Sequence, residues 1–261
     1  PDTARNNKAN GSTCARRLRR ESYVEPFGGG AGLLLARPRV RLEVYNDLAG
    51  EMVALFRVIR DRPDELVDLI EATPFAREEH AECQDLGVDN DLELARRVLV
   101  RSHLGHGSNG IFKSTGFRGA GMRAGKLPVH LWADFPDVIR QTAQRMRGVV
   151  IECRPAEDVL CQYDGPNVLH YVDPPYVLET RGRRAYKHEM SDDDHAKLIE
   201  VLRTLEGSVV LSGYAHSIYD DALHDWRRVE ISTYADQALP RNEIVWMNFD
   251  DEAPLFRSAA S

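Results

Sequence analysis

Asp173-Pro174-Pro175-Tyr176 gathers, in one short stretch, residue types that could work on a planar amine. An ionised carboxylate only accepts hydrogen bonds, the two prolines lack N–H donors but keep their carbonyls, and the tyrosine offers an aromatic face. The preceding Val168-Leu169-His170-Tyr171-Val172 reads as a buried strand, which puts the acid at the strand's carboxyl end. Open α/β sheets bind ligands at that edge. The prolines also keep a helix from starting at once. The alternative is a tight strand-to-loop turn with a surface tyrosine.

A second cluster is Glu25-Pro26-Phe27-Gly28-Gly29-Gly30-Ala31-Gly32, entered by a short apolar strand, Ser22-Tyr23-Val24, and left by a helix that begins at Leu33-Leu34-Leu35. Glycines between strand and helix permit a tight turn and close approach of backbone to ligand. The next strand, Arg41 to Tyr45, ends at Asn46-Asp47, nineteen residues beyond Gly28. An acid at that spacing suits a ribose hydroxyl, and it can also cap the helix expected over 48–60. Neither Gly-x-Gly-x-x-Gly nor a terminal Gly-Lys-Ser/Thr is present, and Glu25 would repel a pyrophosphate. The same Glu25 could hold a cationic amino acid, so adenosine with a methionine tail, S-adenosylmethionine, fits better than NAD or ATP.

The elements that must position these loops follow from periodicity. Further strands are expected at Val149–Cys153, Val168–Val172, Ser208–Ser212, Arg227–Thr233 and Glu243–Phe249. Helices are expected at 64–71, 77–85, 91–103, 131–147, 192–205 and 216–223. Seven strands result, and the last two lack room for a crossover helix, which implies a hairpin at the sheet's end. The two functional loops lie 145 residues apart. Consecutive βα units of about thirty residues each account for only part of that interval. The surplus lies in 64–127, read as an inserted small lobe between a catalytic domain's two parts, 22–63 and 128–261, after a polar N-terminus over 1–21. Ser212-Gly213-Tyr214 ends a strand at the functional edge and is taken as pocket wall.

The formal net charge is −7, but its distribution is uneven. Asp64 to Glu93 holds eleven acids and one arginine, whereas Arg96 to Lys126 holds seven Lys or Arg and no acid. Such segregation can build a local positive face for phosphates on an acidic protein. A second basic run, Arg181-Gly182-Arg183-Arg184 with Lys187 behind it, follows the Asp-Pro-Pro-Tyr loop, and a third is Arg16-Arg17-Leu18-Arg19-Arg20. Cys14, Cys83, Cys153 and Cys161 have no metal-like pairing, so buried or half-buried thiols in a reducing cytoplasm are expected, and the histidines show no ligand spacing. No metal site, no membrane span and no signal peptide are expected.

In these stretches, taken in order, the chain resembles the DNA N6-adenine methyltransferases, and most closely the Dam-like adenine methylases of phages and prophages. The matching segments are Tyr23 to Ala31, Val44-Tyr-Asn-Asp47, Arg101 to Arg118, Tyr171-Val-Asp-Pro-Pro-Tyr176, His188 to His195 and Val210-Leu-Ser-Gly-Tyr214. The resemblance spans roughly 22 to 249 and implies a Rossmann-like, seven-stranded α/β methyltransferase fold with an inserted, mainly helical lobe. It implies a restriction-modification or phage setting, a cytoplasmic monomer or weak dimer, S-adenosylmethionine as cofactor and duplex DNA as partner. By position, Phe27, Gly28 and Gly30, beside Glu25 and Pro26, would lie under the cofactor's methionine, and Asp47 on its ribose. Asp173, Pro174 and Tyr176 would form the catalytic loop, with Asp173 also near the cofactor. Arg101, Asn109, Lys113, Arg118 and Arg123 would face DNA from the lobe, and Arg181, Arg183, Arg184 and Lys187 would lie by the flipped base's phosphates.

Two departures from the family pattern stand out. No Gly-Gly-Lys loop precedes the first strand, and Pro155 occupies the place of an acid that would accept from the cofactor's adenine amine. Glu157 or Asp158 could substitute. Three functions stay open: an adenine methyltransferase on duplex DNA, the same chemistry on RNA, a free base or a glutamine amide, and a weak or inactive DNA-binding relic.

Overall fold

Apolar runs of four to eight residues rich in Val, Ile and Tyr become the strands of one sheet. The computed structural model describes residues 20–106, 115–119, 127–181, 186–234 and 240–250. The strands are β1 (Ser22–Glu25), β2 (Leu42–Asn46), β3 (Val150–Glu152), β4 (Val168–Val172), β5 (Ser208–Gly213), β6 (Arg227–Tyr234) and β7 (Pro240–Met247). Their order across the sheet is β3-β2-β1-β4-β5-β7-β6. The first five pair in parallel, while β7 runs antiparallel to both β5 and β6, so the expected terminal hairpin is present. This is the Rossmann-like seven-stranded sheet expected of S-adenosylmethionine-dependent methyltransferases. Strand order reverses between β1 and β4, and a crevice opens there at the carboxyl edge.

The helices are α1 (Gly32–Ala36), α2 (Gly50–Asp61), α3 (Pro63–Glu71), α4 (Arg77–Glu82), α5 (Asp91–Leu104), α6 (Pro128–Ala133), α7 (Phe135–Met146), α8 (Ala156–Gln162), α9 (Leu178–Arg181), α10 (Asp192–Thr204) and α11 (Ser217–Ala222). Between β2 and β3 the chain builds a helical insertion. Its Leu66, Ile70, Val98 and Leu104 belong to the same buried cluster as Tyr45, Phe56 and Val210, so insertion and sheet share one apolar core. A second cluster packs Leu198 and Leu202 of α10 against Val209, Leu211 and Trp246 on the other face.

Several boundaries differ from expectation, each for a local reason. The single helix expected over 131–147 is two helices that meet at Asp134. Pro136 falls in the first turn of α7, where its missing N–H costs nothing, and it marks a start rather than an interior. The helix expected over 77–85 stops at Glu82, and the Asp85 side chain instead accepts from Gly87 N at 2.8 Å. α2 begins at Gly50 rather than 48. Cys83 is buried as expected, but Cys153 and Cys161 are exposed, the first just past β3 and the second on α8, and Cys14 lies outside the described residues.

Gly105 and Phe117 form an antiparallel bridge, flanked by His106 N to Gly116 O at 3.1 Å and Arg118 N to Leu104 O at 2.6 Å. The two ends of the basic, glycine-rich stretch are therefore held together at the end of α5. A Cβ at Gly105 would lie 2.5 Å from both Arg101 O and Thr115 Oγ1, so only glycine fits this neck.

On the face covered by α7, Arg145 makes a bidentate pair with Glu43 of β2, at 2.7 and 2.8 Å, and donates to Leu34 O at 2.6 Å. Glu43 is 2% exposed. Removing one member of a buried pair leaves the other charge without compensation, so Arg145→Ala should destabilise the protein by about 3 kcal/mol in chemical denaturation. Arg140→Ala, which breaks exposed pairs to Asp137 on the same helix and to Glu71 of α3, should cost roughly 0–1 kcal/mol. Equal losses from the two would show that burial of Glu43 is not the cause.

Candidate active site

The glycine turn is built onto the tip of β2. Gly28 N donates to Asn46 O at 2.7 Å, Gly29 N to Asp47 Oδ2 at 2.8 Å, and Tyr45 Oη to Gly29 O at 2.8 Å. The Asn46 side chain adds a bond to Pro26 O at 2.8 Å and exchanges two more with Arg154, whose N donates to Oδ1 and whose O accepts from Nδ2. Each glycine has a separate cause. A Cβ at Gly28 would fall 2.1 Å from the Tyr45 ring, Gly29 has φ +47°, and a Cβ at Gly30 would meet no protein atom within 4 Å. The first two are demanded by the fold itself, whereas at the third the fold leaves room for a side chain.

Asp47 does not cap α2 through its side chain; Ala49 is the cap residue, and Asp47 Oδ1 accepts from Ala49 N at 2.7 Å in a tight Asx turn. With Oδ2 on Gly29 N, the carboxylate is fixed in orientation, and each oxygen keeps a second lone pair for hydroxyl donors. Burial raises its pKa, against the two backbone bonds that lower it.

A cavity of about 630 Å³ lies over this turn, and Glu25, Gly28, Gly30, Asp47, Glu157 and Asp173 are among its walls. That size is ordinary for a small-molecule site. Glu25 is 2% exposed, and its Oε2 is buried with no hydrogen-bond partner. Burial pushes its pKa up to about 8; nearby Asp173 adds to the rise, while Tyr23 and Arg37 oppose it. An unsatisfied buried acceptor is costly, and it marks where a ligand's donor belongs.

Asp173 and Pro175 line the cavity, whereas Pro174 is buried and Tyr176 is not among the lining residues, its hydroxyl lying 3.2 Å from Ser212 Oγ. The Tyr176 ring stands edge-on to Tyr214 with centroids 4.7 Å apart. Ser212 lies behind the loop rather than in the wall, and it donates to Asp173 Oδ1 at 2.9 Å. Burial raises the Asp173 pKa, and bonds from Ser212 and Tyr176 oppose this.

The residues named in the sequence for phosphate contact separate on inspection. Arg181 is largely buried: Nε donates to Tyr176 O at 2.7 Å, and Nη2 pairs with Glu189 at 2.5 Å. Arg101 is 6% exposed and donates to Gln84 O at 2.9 Å. Lys187 is half-exposed and pairs with Glu51 of α2 at 2.5 Å. Arg118 is exposed, at the neck. Asn109, Lys113, Arg123, Arg183 and Arg184 lie outside the described residues. Of the two replacement acids, Glu157 reaches the cavity and Asp158 instead faces Arg154 at 3.8 Å. Phe27 and Pro26 line the cavity as well. Among the described residues no group of three or more His, Cys, Asp or Glu is placed to hold a metal ion, and no helix is long and apolar enough to cross a membrane.

Sequence reasoning missed Asn46, Glu51 and Glu189. Asn46 had a usable signal, because a polar amide inside an apolar strand end must find partners. Glu51 and Glu189 had none, since their partners lie 136 and 8 residues away in an acid-rich chain.

The contrast between glycines is testable. Gly28→Ala should destabilise the free protein by about 1–3 kcal/mol, the range for overpacking. Gly30→Ala should leave the melting temperature of the free protein unchanged and weaken S-adenosylmethionine by calorimetry at least about tenfold, a loss of about 1.4 kcal/mol. Unchanged affinity in Gly30→Ala would mean that the ligand does not approach this backbone.

A family model described as D12 class N6 adenine-specific DNA methyltransferase matches residues 14–234. The chain is also 24% identical over 221 residues to the type II methyltransferase M1.LlaDCHI of Lactococcus lactis subsp. cremoris, with 78% of this chain and 76% of that protein covered. The family match takes in every element from β1 to β6 rather than two short loops, and on that breadth the chain belongs to the D12 class N6 adenine-specific DNA methyltransferase family.

Proposed function

We propose that the protein transfers a methyl group from S-adenosylmethionine to N6 of adenine in duplex DNA. The observation that carries this is the meeting of two loops in one cavity. Gly28, Gly30 and Asp47 on one side and Asp173 with Pro175 on the other share a single wall. The residues fit the cofactor family membership implies. The lone Glu25 oxygen suits its ammonium, Asp47 its ribose, the open space over Gly30 its methionine chain, and Glu157 stands where Pro155 cannot accept.

When bound, S-adenosylmethionine would supply a methyl group on a sulfonium that carries its own leaving group, so the N–C bond forms as the C–S bond breaks. The chain's task is geometry and electrostatics. Adenine's amine is a poor nucleophile because its lone pair is delocalised into the ring. The Asp173 carboxylate and the Pro174 carbonyl would accept its two hydrogens and favour a localised lone pair directed at the methyl group. The surplus proton on nitrogen would leave through Asp173 to solvent. A base inside a duplex cannot reach this loop and must be flipped, at a cost of a few kcal/mol. Tyr176 is assigned to stack on the extruded base. Residues 64–127 are taken as the recognition lobe, with exposed Arg118 at the neck of its basic stretch supporting the assignment.

A weak or inactive DNA-binding relic is the second reading, favoured by Pro155 in the cavity wall. Calorimetric titration with S-adenosylmethionine separates the two, since a relic does not bind it.

Asp173→Ala should abolish N6-methyladenine formation, read by mass analysis of nucleosides, with cofactor affinity within a few-fold of wild type. Asp47→Ala should weaken S-adenosylmethionine by about 1.5–3 kcal/mol, the range for a lost hydrogen bond to a charged group. Near-normal methylation by Asp173→Ala would remove that residue from the mechanism.

A further inference from the structure

We infer that Ser212 is a positioning residue for Asp173, which from a separate strand fixes the carboxylate oxygen left to face the substrate amine. The parallel register of β4 and β5 aligns Val172 with Leu211, so the next residue on each strand, Asp173 and Ser212, stand side by side at the carboxyl edge. Ser212 is 4% exposed. Its Oγ lies 2.9 Å from Asp173 Oδ1 and 3.2 Å from Tyr176 Oη.

Proton counting gives this contact a direction. A serine hydroxyl has one proton to donate, and an ionised carboxylate has none. The Ser212 proton therefore goes to Asp173, and the Tyr176 phenol must donate to Ser212. A chain of donors runs from Tyr176 through Ser212 to Asp173 Oδ1. With Oδ1 so held, Oδ2 is the oxygen available to the amine. The Tyr214 ring, edge-on against Tyr176, keeps the start of the chain in place.

The surroundings of Asp173 make this bond consequential. The ionisable groups that act on it or feel its charge are Glu25 on β1, Glu243 on β7, Tyr171 on β4, Tyr176 in its own loop, Tyr186 beyond the loop and Tyr219 on α11. None of these is a cation. Burial favours a protonated Asp173, and the bond from Ser212, itself backed by the Tyr176 phenol, favours the ionised form. A protonated acid cannot accept the amine's hydrogen through that oxygen, so rate should rise with pH as Asp173 ionises. Removing a donor to the charged form moves that rise to higher pH.

The inference rests on the methyl-transfer reading, and the test separates the two. In Ser212→Ala, single-turnover methylation of DNA should slow by about 10- to 100-fold, the equivalent of one hydrogen bond to a charged group. The acid limb of the pH profile should move up by about one pH unit. S-adenosylmethionine affinity should stay at the wild-type value. Ser212→Thr, which keeps the hydroxyl on a strand, should restore both rate and acid limb. A wild-type rate and acid limb in Ser212→Ala would overturn the inference. Should the wild-type protein methylate no DNA, the methyl-transfer reading fails instead. Carbon-13 NMR titration of the Asp173 carboxyl then decides: an upward move in Ser212→Ala supports the positioning role, and an unmoved midpoint overturns it.

Discussion

Two carboxylates buried at the ends of adjacent parallel strands set the terms for the rest of the molecule. β1 and β4 are neighbours, so Glu25 and Asp173 emerge together at the point where strand order reverses. Burial raises both pKa values, and Asp173 raises Glu25 further, so an ionised pair works against the free fold. For a carboxylate raised to about 8, stability is full at acid pH and is lost as pH rises toward that value. A ligand with a fixed positive charge relieves the same unfavourable interaction. Such a pair of carboxylates favours a cationic ligand over a neutral one of the same shape.

The scaffold tolerates this because the supporting contacts are independent of the ligand. The glycine turn is tied to β2 by backbone and side-chain bonds, and Asn46 joins turn, β2 and the segment after β3 in one knot. On the other side, Arg181 connects the carbonyl of Tyr176 to Glu189, and Glu189 accepts from Tyr186 N at 2.9 Å. Tyr186 to Met190 also line the cavity, so the Asp-Pro-Pro-Tyr loop and the cavity wall are joined through one largely buried guanidinium. The Lys187–Glu51 pair at the rim is more exposed and contributes less, since solvent and salt screen it.

Much of this was legible in the chain because local chemistry and global topology agree. The glycine turn, Asp47 and the Asp-Pro-Pro-Tyr loop all sit at strand ends, where strand patterning marks them without knowledge of pairing. The hairpin of β6 and β7 followed from the absence of room for a crossover. What escaped depended on direction rather than identity. A polar amide at a strand end signals that Asn46 must find partners but not which segments it ties, and a serine at a strand end could face the cavity or stand behind it. The break at Asp134 was hidden by an unbroken apolar period, although Pro136 marked it.

Arginine shows most plainly where charge counting stops. Seven basic residues between 96 and 126 suggested a broad positive face opposite the acidic helices. In space part of the basic run is turned toward the acidic helices and the core. Arg96 pairs with Glu79 and Glu93, Arg97 with Glu93, and Arg101 turns inward to a backbone carbonyl. Of the rest, Arg118 is exposed, and Lys113, Arg123 and Lys126 lie outside the described residues. Phe117 fixes the Gly105–Phe117 neck by packing on Phe75 and under Arg77, so the ends of the glycine-rich stretch are set by apolar packing more than by ion pairs.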